Sequence, residues 1–185
     1  VRSDEAVLPH VNGGMDALYR ACFDDLLTAH PERTTAVREA YEADYLANVA
    51  VHTRLYDGMR EALEALAQLG TLACITNKPE RISRALLSQL GVGSLFTTVV
   101  GGDSCPHIKP HPVMFETAAA RCKLDREHST ISAWMIGDTD GDIQLAHSVG
   151  ARAIWCAWGY VNEPKQRPHA RAVAPQELPA LIARG

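Results

Sequence analysis

The 185-residue chain contains no apolar run approaching the roughly 18 residues that a membrane-spanning helix needs. It shows no excess of basic residues: 18 Lys and Arg stand against 22 Asp and Glu, and the net charge is −4 with both signs interspersed. Nucleic-acid backbones demand basic patches, so this balance argues against nucleic acid as the main partner. The N-terminal Val1-Arg2-Ser3-Asp4-Glu5 has neither the pattern of a signal peptide nor an initiator Met. The expectation is a chain that begins partway through a longer protein. There is no C-x-x-C. The cysteines, Cys22, Cys74, Cys105, Cys122 and Cys156, are odd in number and most lie among apolar residues. That reads as reduced thiols in a cytoplasmic protein. Gly91-Val92-Gly93 lacks the third glycine of a dinucleotide fingerprint and follows a helical pattern rather than a strand, which excludes it. Asp103-Ser104-Cys105-Pro106-His107 and His111 match no closed zinc spacing and read as ordinary loop residues.

What is present divides the chain in two. Nearly half the residues, 46%, are apolar, enough for one good domain or one domain plus a small accessory one. Over residues 13 to 29, Met15, Leu18, Tyr19, Cys22 and Leu26 recur at helical spacing. His30-Pro31 interrupts them, because the residue before proline is pushed out of the α region. Val37, Ala40, Tyr41, Tyr45 and Leu46 form a second helical pattern. Asn12-Gly13-Gly14 reads as a turn or helix start. Residues 1–55 are therefore expected to be all-helical. From Tyr56 onward, helices and short strands alternate through residue 185. The strands are expected at Leu72-Ala73-Cys74-Ile75, at Thr97-Thr98-Val99-Val100, before Asp138, at Ala153-Ile154-Trp155-Cys156 and at residues 170–173. Alternation of this kind predicts an α/β fold with a Rossmann-like parallel sheet core and helices on both faces.

In such a sheet, ligands bind beyond the carboxyl ends of the strands. Three polar loops fall there: Thr76-Asn77-Lys78, the loop carrying Lys109, and the aspartate-rich Asp138-Thr139-Asp140-Gly141-Asp142. Together they offer a hydroxyl, an ammonium and hard carboxylate oxygens, which suits a phosphate monoester and a divalent cation such as Mg²⁺. Each residue also has a plain structural use. Thr76 or Asp142 could cap a helix, and Lys109 could be an ordinary solvated lysine.

Ile75-Thr76-Asn77-Lys78-Pro79, Ile108-Lys109-Pro110-His111-Pro112 and Met135-Ile136-Gly137-Asp138-Thr139-Asp140-Gly141-Asp142-Ile143 resemble the second, third and fourth motifs of haloacid dehalogenase-like phosphatases. The nearest branch is that of the phosphoglycolate phosphatases, which Trp158-Gly159-Tyr160 also resembles. The resemblance implies a Mg²⁺-dependent hydrolysis of a small phosphomonoester, such as 2-phosphoglycolate, through an aspartyl-phosphate. It implies that Thr76 and Asn77 hold the phosphoryl group and that Lys109 stabilises charge on it. Asp138 would be the metal ligand. Asp142 would orient Lys109 or a metal-bound water, and Asp140 is expected to be solvated. The helices of residues 1–55 resemble the family's cap. One motif is missing: a strand ending in Asp-x-Asp-Gly-Thr, which carries the family's nucleophile and forms its central strand. It is expected in an N-terminal segment preceding Val1. The partner is expected to be a small phosphorylated metabolite, and the protein a monomer or homodimer. A sugar-phosphate mutase or dehalogenase of the same family and a non-catalytic phosphate-binding protein stand as alternatives; Asp138 favours phosphoryl chemistry over dehalogenation.

Overall fold

The computed structural model describes residues 2–124, 132–159, 161 and 163–184; Tyr160, quoted above, lies outside the described residues. The N-terminal third is helical. It comprises α1 (Asp4–Val7), a 3-10 stretch (Leu8–Gly13), α2 (Met15–Ala29) and α3 (Thr34–Ala47). A single 3-10 turn, Pro31–Arg33, separates α2 from α3 where His30-Pro31 breaks the helical pattern. The predicted stripe on α2 is only partly used. Tyr19 is its one buried member, and Leu26 is 38% exposed. Aromatic edges take over the packing instead. The Tyr41 ring meets Tyr19 at 5.5 Å and Tyr45 at 5.9 Å between centroids, both edge-to-face. That geometry sets the positive edge of one ring against the negative face of the next.

The remainder alternates as expected: α4 (Met59–Leu69), β1 (Leu72–Ile75), α5 (Glu80–Gln89), β2 (Phe96–Val100), α6 (Val113–Arg121), β3 (Trp134–Gly137), α7 (Asp140–Ser148), β4 (Arg152–Cys156), β5 (Ala170–Ala172) and α8 (Leu178–Ala183). Gly91 and Gly150 follow α5 and α7 with φ of 70° and 72°, the left-handed conformation in which glycine closes a helix without a steric penalty. No helix among the described residues is long and apolar enough to cross a membrane.

All described strand pairs are parallel, but the sheet is in two pieces. β1 pairs with β2, with Ile75 opposite Val100. β3 pairs with β4 and β4 with β5, with Met135 opposite Ala153 and Ile154 opposite Ala170. Among the described residues nothing pairs β1 to β3. A cavity of about 400 Å³ lies between them, walled by Leu72, Ala73 and Ile75 on one side and Trp134, Met135 and Ile136 on the other. The larger core cluster joins β3, β4 and α7 through Met135, Ala153, Trp155, Ile143 and Leu145. A second cluster clamps α4 and α8 on the opposite face of β4 through Leu66, Ile154 and Leu178. Val100, Met114 and Ala118 fix α6 to β2. These clusters hold the carboxyl ends of β1 and β3 as rigid platforms for the loops that follow them.

Candidate active site

The chain leaves β1 through Thr76. The Thr76 N–H still donates to the Val100 carbonyl (2.9 Å), so the loop starts in register with the sheet. The Thr76 hydroxyl accepts the N–H of Lys78 (3.2 Å), turning the chain within two residues. It does not cap α5. Pro79 stands at that N-cap without a side-chain hydrogen bond, and Asp103 Oδ1 accepts the Glu80 N–H (2.7 Å) from a neighbouring loop. Gly101 and Gly102 make this packing possible. A Cβ on Gly102 would lie 2.4 Å from the Asn77 carbonyl oxygen, and one on Gly101 would lie 2.1 Å from the Glu80 nitrogen. Any side chain at either position would push the two loops apart.

Asn77 ties the second loop to the first: its Oδ1 accepts the backbone N–H of Lys109 (2.9 Å). Lys109 is then directed back across the ends of the strands. Its Nζ donates to Asp142 Oδ1 (2.7 Å) and to the Ile75 carbonyl (3.1 Å). The solvated-lysine alternative fails here, because the Lys109 and Asp142 side chains are only 14% and 6% exposed. Asp142 serves two elements at once. Its Oδ2 accepts the N–H (3.0 Å) and the hydroxyl (2.7 Å) of Thr139, completing a capping box at the start of α7. The helix-capping alternative for Asp142 therefore holds together with the contact to Lys109. Gly137 makes room for this, since a Cβ there would meet Asp142 Cγ at 2.2 Å.

Asp138 stands at the carboxyl end of β3, half-buried, against Gly159. A Cβ on Gly159 would sit 2.1 Å from the Asp138 Cβ and 2.4 Å from its Oδ2. Cys156 reports the charge concentrated here. Burial foremost, then Asp138 and Asp142, push its thiol up to about 12. Asp140 departs from expectation: it is not simply solvated. Its carboxylate is 22% exposed and accepts the Lys165 N–H (2.7 Å), fastening the segment between β4 and β5.

The three predicted loops thus converge on one locus, with Thr76, Asn77, Lys109, Asp138 and Asp142 at the ends of β1 and β3. Sequence reasoning missed the supporting positions. Gly101, Gly102, Gly137, Gly159 and Thr139 shape the site; Gly137, Thr139 and Gly159 lay inside the quoted motifs but were given no role there, and Gly101 and Gly102 were not singled out. Asp138 has the hard oxygens that suit Mg²⁺, and the glycine opposite keeps the space beside it clear. Among the described residues, no group of three or more His, Cys, Asp or Glu stands where it could hold a metal. His107 and His111 stack with ring centroids 4.3 Å apart.

The family model of the haloacid dehalogenase-like hydrolases matches residues 3–156. The chain belongs to that family. A phosphoglycolate phosphatase from Mannheimia succiniciproducens is 32% identical over 163 residues, spanning 85% of this chain and 71% of that protein. The fold is shared with a predicted phosphoglycolate phosphatase from Haemophilus somnus. That structure has a TM-score of 0.81 at 27% identity, over 97% of this chain and 82% of the other. It is also shared with a 2-haloacid dehalogenase from Pseudomonas syringae, with a TM-score of 0.70 at 26% identity, over all of this chain and 82% of the other. One haloacid dehalogenase-like fold therefore hosts both chemistries, and the reaction must be argued from the site.

Proposed function

We propose that this chain carries the phosphate-binding half of a Mg²⁺-dependent phosphatase acting on a small phosphomonoester such as 2-phosphoglycolate. The observation that supports it is the convergence of Thr76, Asn77 and the buried Lys109–Asp142 pair beside Asp138. A phosphoryl group developing charge in the transition state is stabilised by donors fixed before it arrives. Lys109 is such a donor, because Asp142 and the Ile75 carbonyl set its position in advance. The Thr76 hydroxyl and Asn77 side chain would bind phosphoryl oxygens. Asp138 would be a ligand of Mg²⁺, which when bound neutralises charge on the same oxygens.

The attacking carboxylate would come from a strand seated between β1 and β3. Two features support that reading: the edges of both strands are unpaired with each other, and the space between them is apolar. Unpaired edge groups are costly when buried, so a strand there would satisfy two rows of backbone donors and acceptors. Its carboxylate would displace the alcohol from phosphorus and form an aspartyl-phosphate that water then cleaves. Residues 1–55 act in this reading as the cap over an α/β core of residues 56–185, and the free thiols accord with a cytoplasmic setting. The test is release of inorganic phosphate from 2-phosphoglycolate by the complete gene product, with and without Mg²⁺. Turnover should require the metal, and Asp138→Asn should remove most of it while the fold persists. Undiminished turnover after chelation would refute the reading. Phosphate binding without turnover of any phosphoester would point to a binding protein instead.

A further inference from the structure

Two lysines flank the phosphate-binding loops, and they are placed for different tasks. Lys109 is committed to Asp142 and to a backbone carbonyl. Lys78 is half-buried in the loop after β1, and its ammonium donates to the hydroxyl of Tyr45 on α3. No carboxylate among the described residues pairs with the ammonium. A neutral phenol does not cancel a full charge, so this partly desolvated cation has no counter-ion among the described residues. Its own backbone is fixed: the N–H donates to the Thr76 hydroxyl (3.2 Å), and the carbonyl accepts the Gly102 N–H (3.0 Å). Lys78 is therefore two residues from the phosphate-binding Thr76 and faces the helical segment. That segment also closes on the loop at a second point. A Cβ on Gly14, at the start of α2, would lie 3.6 Å from the Ile108 side chain and 3.8 Å from the Asn77 carbonyl oxygen.

We infer that Lys78, held by Tyr45, binds a carboxylate at the end of the substrate remote from the phosphoryl group. This rests on the phosphatase reading above and names what that site selects: a phosphomonoester of a short hydroxy acid. A carboxylate has two oxygens, and the pair offers two donors, the Lys78 ammonium and the Tyr45 hydroxyl. Lys78 is the residue that touches substrate; Tyr45 positions it from α3 and couples the seating of the helical segment to the presence of an acid.

The test compares two substrates on one skeleton, 2-phosphoglycolate and 2-hydroxyethyl phosphate, in which a neutral hydroxymethyl replaces the carboxylate. Lys78→Met in the complete gene product should lower kcat/KM for the acid about 10- to 100-fold, the range of a charge-assisted hydrogen bond, chiefly through KM. For the neutral ester the same variant should change kcat/KM by less than about threefold. Tyr45→Phe should raise KM for the acid alone, by a smaller factor. Equal losses on both substrates, or no loss on the acid, would overturn the assignment. If the wild-type protein turns over neither ester, the phosphatase reading fails, and Lys78 is then read by binding. 2-Phosphoglycolate should raise the melting temperature of the wild type more than inorganic phosphate does, and Lys78→Met should erase that difference. An unchanged difference, in a variant whose ligand-free melting temperature matches wild type, would overturn the inference.

Discussion

The Lys109–Asp142 pair permits a quantitative test of how the site is built. Both side chains are nearly sequestered from water, and their charged atoms stand 2.7 Å apart. Removing one partner of such a pair leaves the other buried and uncompensated, which costs about 3–5 kcal/mol. Lys109→Met retains length and apolar bulk but strands the Asp142 carboxylate, whose Oδ2 still holds Thr139. Asp142→Ala strands the ammonium with only the Ile75 carbonyl and also breaks the capping box, worth about a further 1 kcal/mol. The double variant carries no orphaned charge. Its loss should fall short of the sum of the singles by about 2–3 kcal/mol, the coupling expected of residues in direct contact. Thr139→Ala isolates the capping share, since it removes the hydroxyl donor and leaves the ion pair in place. Urea unfolding followed by circular dichroism gives each free energy from midpoint and slope, and a constant slope shows that the denatured state is unchanged. Additivity within about 0.5 kcal/mol would refute the argument, because it would mean that Lys109 and Asp142 do not sense each other. Turnover should be lost in all three Lys109 and Asp142 variants, so stability rather than rate discriminates here.

Gly159→Ala should drive the Asp138 carboxylate from its place and weaken Mg²⁺ activation about 10-fold or more, as loss of a ligand's support commonly does, read from the Mg²⁺ dependence of phosphate release. Gly70→Ala is the control, since no atom lies within 4 Å of a Cβ there and its backbone is extended. Glu80 makes stability depend on acid pH. Burial alone would raise its carboxyl, but hydrogen bonds from Ser104, Arg121 and Arg84 outweigh burial and hold it at about 2. A carboxyl depressed on folding contributes fully above its unfolded value of about 4.5 and loses that contribution as the pH falls toward 2. The stability gap between wild type and Glu80→Gln should therefore narrow across that window; parallel curves would refute it. Cys156, buried and pushed up to about 12, should escape iodoacetamide at pH 8 in the native protein and react in urea, as mass spectrometry of the labelled peptides would show.

The elements of this fold were legible because strands and helices announce themselves by period. Ile82 and Leu86 on α5, or Val99 and Val100 on β2, lie where a local pattern places them. The loops that carry chemistry were legible for a related reason: parallel strands deliver their carboxyl ends to one edge. What was not legible depends on contacts between distant residues. Nothing in the spacing from Tyr45 to Lys78 signals their contact, and the aromatic packing of α2 on α3 displaced the apolar stripe that included Leu26. Asp140 looked idle because its partner, the Lys165 N–H, lies 25 residues away on another loop.

The aspartate-rich loop shows how one short stretch can meet several demands at once. Gly137 must lack a Cβ so that Asp142 can approach. Asp142 must then divide its two oxygens between Lys109 and Thr139. The capping box starts α7 at the residue where the strand's polar end would otherwise face the site unsatisfied. Stability of the helix and position of the lysine therefore rest on one side chain, one oxygen for each. Asp138 is free of that constraint on its own helix, because it precedes the cap and leans instead on Gly159 from β4's following loop. Two carboxylates four residues apart thus answer to different parts of the fold: Asp142 to the helix behind it, Asp138 to the open side where a ligand would arrive. In the proposed reading, this division would let a metal ligand at Asp138 and the lysine-orienting Asp142 share one turn without competing for the same cation.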